Sequence, residues 1–163
     1  MTRLLIADDH QMFVEGLKSL LEDEKQLCVV GQARNGFEVL EICDREQVDI
    51  VIMDINMPRM DGIQTSRELS KKHPSIKILG LSMYNDRDYI SDILKAGALG
   101  YVLKNTGKEN LLNAISTLQS GSSYLSEEVS KTLLSSFIKN GRCEHAMEKL
   151  SDREKEVLER IAS

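Results

Sequence analysis

Five short runs of aliphatic and β-branched residues organise the chain up to about residue 121: Leu4–Ala7, Leu27–Val30, Ile50–Met53, Ile76–Leu81 and Leu99–Leu103. Four of the five are almost continuously apolar instead of alternating. A strand with one wet face alternates, whereas a strand covered on both faces does not, so these runs predict a parallel sheet between layers of helix. Stretches with helical spacing lie between them. Phe13, Leu17, Leu20, Leu21 and Glu24 form one set, and Val39, Leu40, Ile42 and Cys43 another. Ile63, Arg67 and Leu69–Ser70 keep the spacing less cleanly, and Ile90, Ile93 and Leu94, then Leu111, Leu112, Ile115 and Leu118, complete the pattern. Five strands alternating with five helices specify a doubly wound α/β domain.

Turn chemistry falls where that scheme needs it. Asn35-Gly36, Asp61-Gly62 and Thr106-Gly107 stand before helices, Gly97 follows one, and Pro58 and Pro74 sit in connections. After Gly121 the pattern changes. Val129, Leu133, Leu134 and Phe137 predict one more helix over Ser122–Asn140, followed by a loop or linker over Gly141–Glu148. A further helix then opens at Leu150-Ser151, where Ser151 and Glu154 make a capping box and Val157, Leu158 and Ile161 an apolar stripe.

An open parallel sheet binds ligands at the carboxyl ends of its strands. Here the first strand ends in Asp8-Asp9, the third in Asp54, the fourth in Ser82 and the fifth in Lys104. In the flavodoxin-like strand order 2-1-3-4-5 the first and third strands are neighbours, which brings three carboxylates to one crevice. Carboxylates that close raise each other's pKa unless a cation is present. Hard oxygen ligands in a small crevice suit Mg²⁺. A carboxylate held beside it can attack a phosphoryl group to form an acyl phosphate, with Lys104 and Ser82 as donors to the transferring oxygens. Each residue alone is ordinary: an Asp pair is a common cap, Lys104 a common loop lysine. Their coincidence at four strand ends is what points to function.

These residues resemble the receiver domain of bacterial two-component response regulators, with the CheY-like fold. The matching pieces are Ala7-Asp8-Asp9-His10, Met53 to Gly62, Leu81-Ser82 and Ala96 to Lys104. The resemblance implies that Asp54 is the phosphoacceptor for a sensor histidine kinase. Asp9, Asp54 and the main-chain carbonyl of Asn56 would ligate Mg²⁺, with Asp8 acting through water. Lys104 would pair with the carboxylate, Ser82 would move to the phosphoryl oxygen, and Tyr101 would be the aromatic switch turning inward as Ser82 moves. The surface of the fourth helix, fifth strand and fifth helix would be the readout. Two positions depart from the usual pattern: Asn105, instead of proline, follows Lys104, and the bulky Met83 follows Ser82. Met83, with Asn56 and Tyr84, borders the expected phosphoryl mouth.

Lys149 to Ala162 resembles the opening helix of a LuxR-type helix-turn-helix domain, so the chain as a whole looks like a NarL/FixJ-type transcription factor. That reading divides it into a receiver (1–121), a linker helix and loop (122–148) and the start of the DNA-binding domain (149–163). The second, base-reading helix of such a motif would lie past Ser163. DNA is therefore expected to be reached only through the full-length C-terminal domain, and the active form is expected to be a homodimer.

Other functions fare worse. A stand-alone receiver acting by protein contact leaves the segment from Leu150 unexplained. A haloacid-dehalogenase-like phosphatase needs a general acid two residues after the nucleophile, where this chain has Asn56, and an amide cannot supply the proton. No G-x-G-x-x-G follows the first strand, which argues against a dinucleotide site. The expected protein is a switch, not an enzyme. Its net charge of −5 does not favour DNA binding by these 163 residues. Seven basic and eight acidic residues follow Ser122, so most of the excess lies in the receiver, where acids are needed for the cation. No apolar run reaches membrane-spanning length. Met1-Thr2-Arg3 runs straight into Leu4–Ala7 and two acids, without the longer apolar stretch and cleavage site of a signal peptide, so export is not expected. Cys28, Cys43 and Cys143 match no zinc or redox spacing and fit a reducing cytoplasm.

Overall fold

A computed structural model describes residues 1–139. Its elements run β1 (Thr2–Ala7), α1 (Gln11–Glu22), β2 (Leu27–Ala33), α2 (Gly36–Arg45), β3 (Ile50–Asp54), α3 (Gly62–Lys72), β4 (Lys77–Ser82), α4 (Arg87–Lys95), β5 (Gly100–Leu103), α5 (Lys108–Gln119), β6 (Tyr124–Leu125) and α6 (Glu127–Lys139). The strands form one parallel sheet in the order β2-β1-β3-β4-β5-β6. This is the flavodoxin-like fold expected from the apolar runs, with one strand more.

The period-2 geometry of the strands sorts their residues into two cores. Leu4, Ile6, Ile50, Ile52, Leu79, Leu81 and Val102 face α1 and α5, meeting Leu17, Leu21, Leu111, Ile115 and Leu118. Leu5, Ala7, Val51, Met53, Ile78, Tyr101 and Leu103 face the opposite way and meet Val39, Cys43, Leu69, Ile90, Ile93 and Leu94. Both faces are dry, which is why the runs read as continuous. The turn residues act as caps: Asn35 Oδ1 accepts from the N–H of Glu38 (3.0 Å) and Asp61 Oδ1 from that of Gln64 (2.8 Å). Gly97, after α4, has φ +114°, a region that favours glycine.

The expected helix over Ser122–Asn140 is corrected at its start. Gly121 (φ +86°) turns the chain after α5, and Tyr124 then pairs with Gly100 and Leu125 with Tyr101. These two residues cover the edge of β5, where unpaired backbone groups would otherwise face solvent. The helix begins only at Glu127, with Ser126 Oγ accepting from the N–H of Val129 (3.4 Å). It packs against α4 and β5, and Val129 and Leu133 join the core cluster that holds Ile90 and Tyr101. Asn140, the linker loop and the capping box at Ser151 lie outside the described residues.

Candidate functional site

Register decides which strand ends meet. Ala7 pairs with Met53, so Asp8 and Asp54 are the next residues on adjacent strands. Ser82 pairs with Leu103, so Lys104 follows directly beside it. The loop from Asp54 to α3 then makes a tight return. The N–H of Gly62 donates to the carbonyl of Ile55 (2.8 Å), and a Cβ on Gly62 would run into the carbonyl oxygen of Asp54. Only glycine lets α3 start this close to the strand. In the same loop the N–H of Met60 donates to the carbonyl of Pro58 (2.8 Å) across Arg59, whose φ is +68°. Such a turn at a non-glycine residue is strained, and strain of this kind collects near functional sites.

Asp8 and Asp54 are fully buried, while Asp9 and Asn56 are exposed. Lys104 Nζ lies 2.8 Å from Asp8 Oδ2 and 3.3 Å from Asp54 Oδ2, and 4.8 Å from the centre of the Phe13 ring. Asp54 Oδ1 accepts from the backbone N–H of Asn56 (3.3 Å). His10 Nδ1 sits 2.9 Å from Asp8 Oδ1 and 3.4 Å from Asp9 Oδ1. Burial, then the charge of Asp8, pushes the Asp54 carboxyl up to about 6, against the opposing pull of Lys104 and the Asn56 N–H.

The donor set fits a hard divalent cation. Three carboxylates against one ammonium leave the crevice negative. Asp8 Oδ2 and Asp54 Oδ2 are ion-paired but have no well-aligned hydrogen-bond donor. One ligand atom from each of Asp8, Asp9, His10 and Asp54 lies within 4.8 Å of the others. The crevice can therefore hold a cation beside a buried carboxylate and neutralise charge on an incoming anion.

Ser82 and Tyr101 are joined through one peptide group. The N–H of Tyr84 donates to Ser82 Oγ (3.1 Å), and the Tyr101 hydroxyl donates to the carbonyl of Tyr84 (2.6 Å). Tyr101 is fully buried, the inward position, and burial pushes its phenol up to about 12, so it stays a donor at neutral pH. Beside Lys104 opens a largely apolar hollow of about 460 Å³, lined by His10, Met12, Phe13, Met83, Lys104 and Asn105. The peptide bond to Asn105 is trans, as are all those described.

The sequence pattern of the response regulator receiver domain matches residues 4–116. The chain belongs to the response regulator receiver family. NarL, the nitrate/nitrite response regulator of Escherichia coli K12, is 34% identical over 160 residues, covering 98% of this chain and 74% of NarL. The transcriptional regulatory protein DegU of Brevibacillus brevis is 34% identical over 135 residues, covering 83% of this chain but only 57% of DegU. Among solved structures, a LuxR-family response regulator from an Aurantimonas species superimposes with TM-score 0.81 at 27% identity, covering 85% of this chain and 99% of that one. RcsB of Salmonella typhimurium gives 0.77 at 29% identity, covering 86% and 68%. The chain is a two-component response regulator of the LuxR/NarL type.

Within this receiver Asp8, Asp9, Asp54 and Lys104 converge as the strand ends suggested. Asn56 contributes its backbone at the rim, and Ser82 and Tyr101 form a linked pair one strand over. Sequence reasoning placed His10 in the matching motif and Phe13 in a helical set, but gave neither a role at the site. Both follow the Asp pair by a few residues, and α1 turns them back over the crevice. Neither signal was visible in the pattern of strand ends. Part of the surface expected as readout, on α4 and β5, is covered by the chain's own α6.

Proposed function

We propose that this receiver is a phosphorylation switch with Asp54 as phosphoacceptor. The observation that carries the proposal is the buried Asp54 carboxylate, 3.3 Å from Lys104 Nζ and flanked by Asp8 and Asp9. An Asp54 oxygen attacks the phosphorus of a kinase phosphohistidine. The P–N bond breaks, the imidazole leaves with its electron pair and takes a proton, and an acyl phosphate remains on Asp54. Mg²⁺ held by Asp9, Asp54 and the Asn56 carbonyl, with Asp8 through water, would supply charge neutralisation at the phosphoryl oxygens. Lys104 then exchanges its contact with the free carboxylate for one with the phosphoryl group. Ser82 donates its hydroxyl to the new oxygens, which releases the N–H of Tyr84 and shifts the peptide that Tyr101 holds. Phosphorylation adds about 1.5–2 negative charges at this point and biases an existing two-state equilibrium.

The relatives support a downstream reading as well. Beyond Ser163 we expect the rest of a LuxR-type helix-turn-helix domain, through which the phosphorylated protein, as a homodimer, regulates transcription. The receiver turns over no separate substrate and is not an enzyme in that sense. No helix among the described residues is long and apolar enough to cross a membrane. We assign the protein to the cytoplasm, where a kinase's phosphodonor domain and reduced thiols such as those of Cys28 and Cys43 are found.

The test is labelling with a small phosphodonor in Mg²⁺, read by intact mass. The wild-type chain gains one phosphoryl group and Asp54→Asn gains none. Equal labelling of both would overturn the assignment. Light scattering before and after labelling tests the dimer: the mass doubles on phosphorylation, or that part of the proposal fails.

A further inference from the structure

His10 has no part in the phosphoryl chemistry above, yet its ring nitrogen faces the same carboxylates. Nδ1 lies 2.9 Å from Asp8 Oδ1, 3.4 Å from Asp9 Oδ1 and 3.5 Å from Lys104 Nζ. The residue is the N-cap of α1, but its side chain makes no capping hydrogen bond. Its backbone N–H donates to Asp8 Oδ1 (2.9 Å), which fixes the Cα at the rim of the crevice. The side chain is 60% exposed, so ions reach it from solvent.

We infer that His10 is a nitrogen ligand of the cation site and sets its metal preference. Ligand atoms about 2.1 Å from a shared ion stand at most about 4.2 Å apart. Nδ1 and the carboxylate oxygens of Asp8, Asp9 and Asp54 already lie within 4.8 Å of one another, so small side-chain rotations bring them onto one ion. An all-oxygen crevice suits Mg²⁺. Adding an imidazole raises affinity for first-row transition dications such as Co²⁺, Ni²⁺ and Zn²⁺, while Mg²⁺ gains little from nitrogen. On ligation the ring proton resides on Nε2, leaving the Nδ1 lone pair for the metal. The consequence for the switch is competition: a transition ion seated by His10 and two carboxylates excludes Mg²⁺ from the phosphoacceptor. His73, the other histidine among the described residues, faces a single carboxylate (Nε2 to Asp44 Oδ1, 2.7 Å), which makes it a poor rival and a useful control.

The inference rests on the acidic crevice being the cation site, and the experiment separates the two. Co²⁺ and Mg²⁺ are titrated by calorimetry into the 163-residue chain and into His10→Asn, which keeps a residue suited to the N-cap. The Co²⁺ complex is examined by proton NMR for an exchangeable imidazole N–H shifted far outside the diamagnetic range. The expected result is a Co²⁺ affinity roughly tenfold or more weaker in His10→Asn, with a clearly smaller change in Mg²⁺ affinity. The shifted N–H resonance is expected in wild type and in His73→Asn, and absent in His10→Asn. Equal Co²⁺ affinity, or a shifted resonance that survives in His10→Asn, overturns the role of His10 and leaves the Mg²⁺ reading standing. Mg²⁺ binding that is the same in Asp54→Asn overturns the crevice as the cation site, and the role of His10 falls with it.

Discussion

Asp54 shows what burying a single carboxylate costs. Its carboxyl is held at about 6, chiefly by burial and then by Asp8, so the folded protein binds that proton more tightly than the unfolded chain does. Stability from this proton is fully present below the ordinary carboxylate range and is lost as pH rises through about 6. In chelator at about pH 7, Asp54→Asn is therefore expected to be more stable than wild type by on the order of 1–3 kcal/mol. Near pH 4, where the wild-type carboxyl is neutral, the advantage should fade. Urea midpoints at both pH values measure it, and an equal advantage at both would show that charge burial is not the cause. Met83 tests the mouth of the same site. It is 74% exposed beside Lys104 and His10, a bulky side chain in the approach to the crevice. Met83→Ala is expected to speed labelling by acetyl phosphate or the later loss of the phosphoryl group, followed by mass against time. Unchanged rates for both would remove Met83 from that role. At this scale the sequence was legible where chemistry sat at strand ends, as with Asp8, Asp54, Ser82 and Lys104. It was not legible for His10, whose place depends on how α1 leaves β1.

Among the elements, the link from β3 to α3 is the most constrained. Asp54 is the last residue of β3, and α3 starts at Gly62 against its carbonyl. Gly62→Ala places a methyl group against backbone atoms that cannot rotate away. We expect a loss of roughly 2 kcal/mol, the usual scale of overpacking, together with slower labelling because Asp54 is displaced. A thermal melt and a labelling course check the two together; an unchanged melt would mean the loop yields easily. The five long strands and their helices were readable because each carries a full apolar face. β6 was not, because its two residues owe their conformation to the open edge of β5, a partner distant in sequence. Local pattern around Val129 and Leu133 correctly indicated a helix but gave no sign that it starts after a strand.

At the scale of the whole molecule, the Ser82–Tyr101 pair is linked to the segment that follows the receiver's fifth helix. Tyr101 holds the carbonyl of Tyr84, the neighbouring Asn85 donates through Nδ2 to the carbonyl of Glu128 in α6 (3.5 Å), and Val129 and Leu133 share a core with Tyr101. If Ser82 moves as proposed, the rearrangement would reach α6 through two residues of one loop, Tyr84 and Asn85. This arrangement makes α6 part of the receiver's packing and not merely a spacer. A chain ending at Gly121 would lose β6 and α6 together, uncovering the edge of β5 and the apolar side of α4. Val129 and Leu133 are both buried, and burying a side chain of either type contributes about 1.5–3 kcal/mol. The shortened chain is therefore expected to be less stable by roughly 3–6 kcal/mol, while Asp54, Asp8, Asp9 and Lys104 stay in place and still accept a phosphoryl group. Denaturation and labelling of the two lengths decide the matter. An unchanged midpoint would mean that α6 rests on the receiver without supporting it, and that the loop from Ser82 has no firm element to push against.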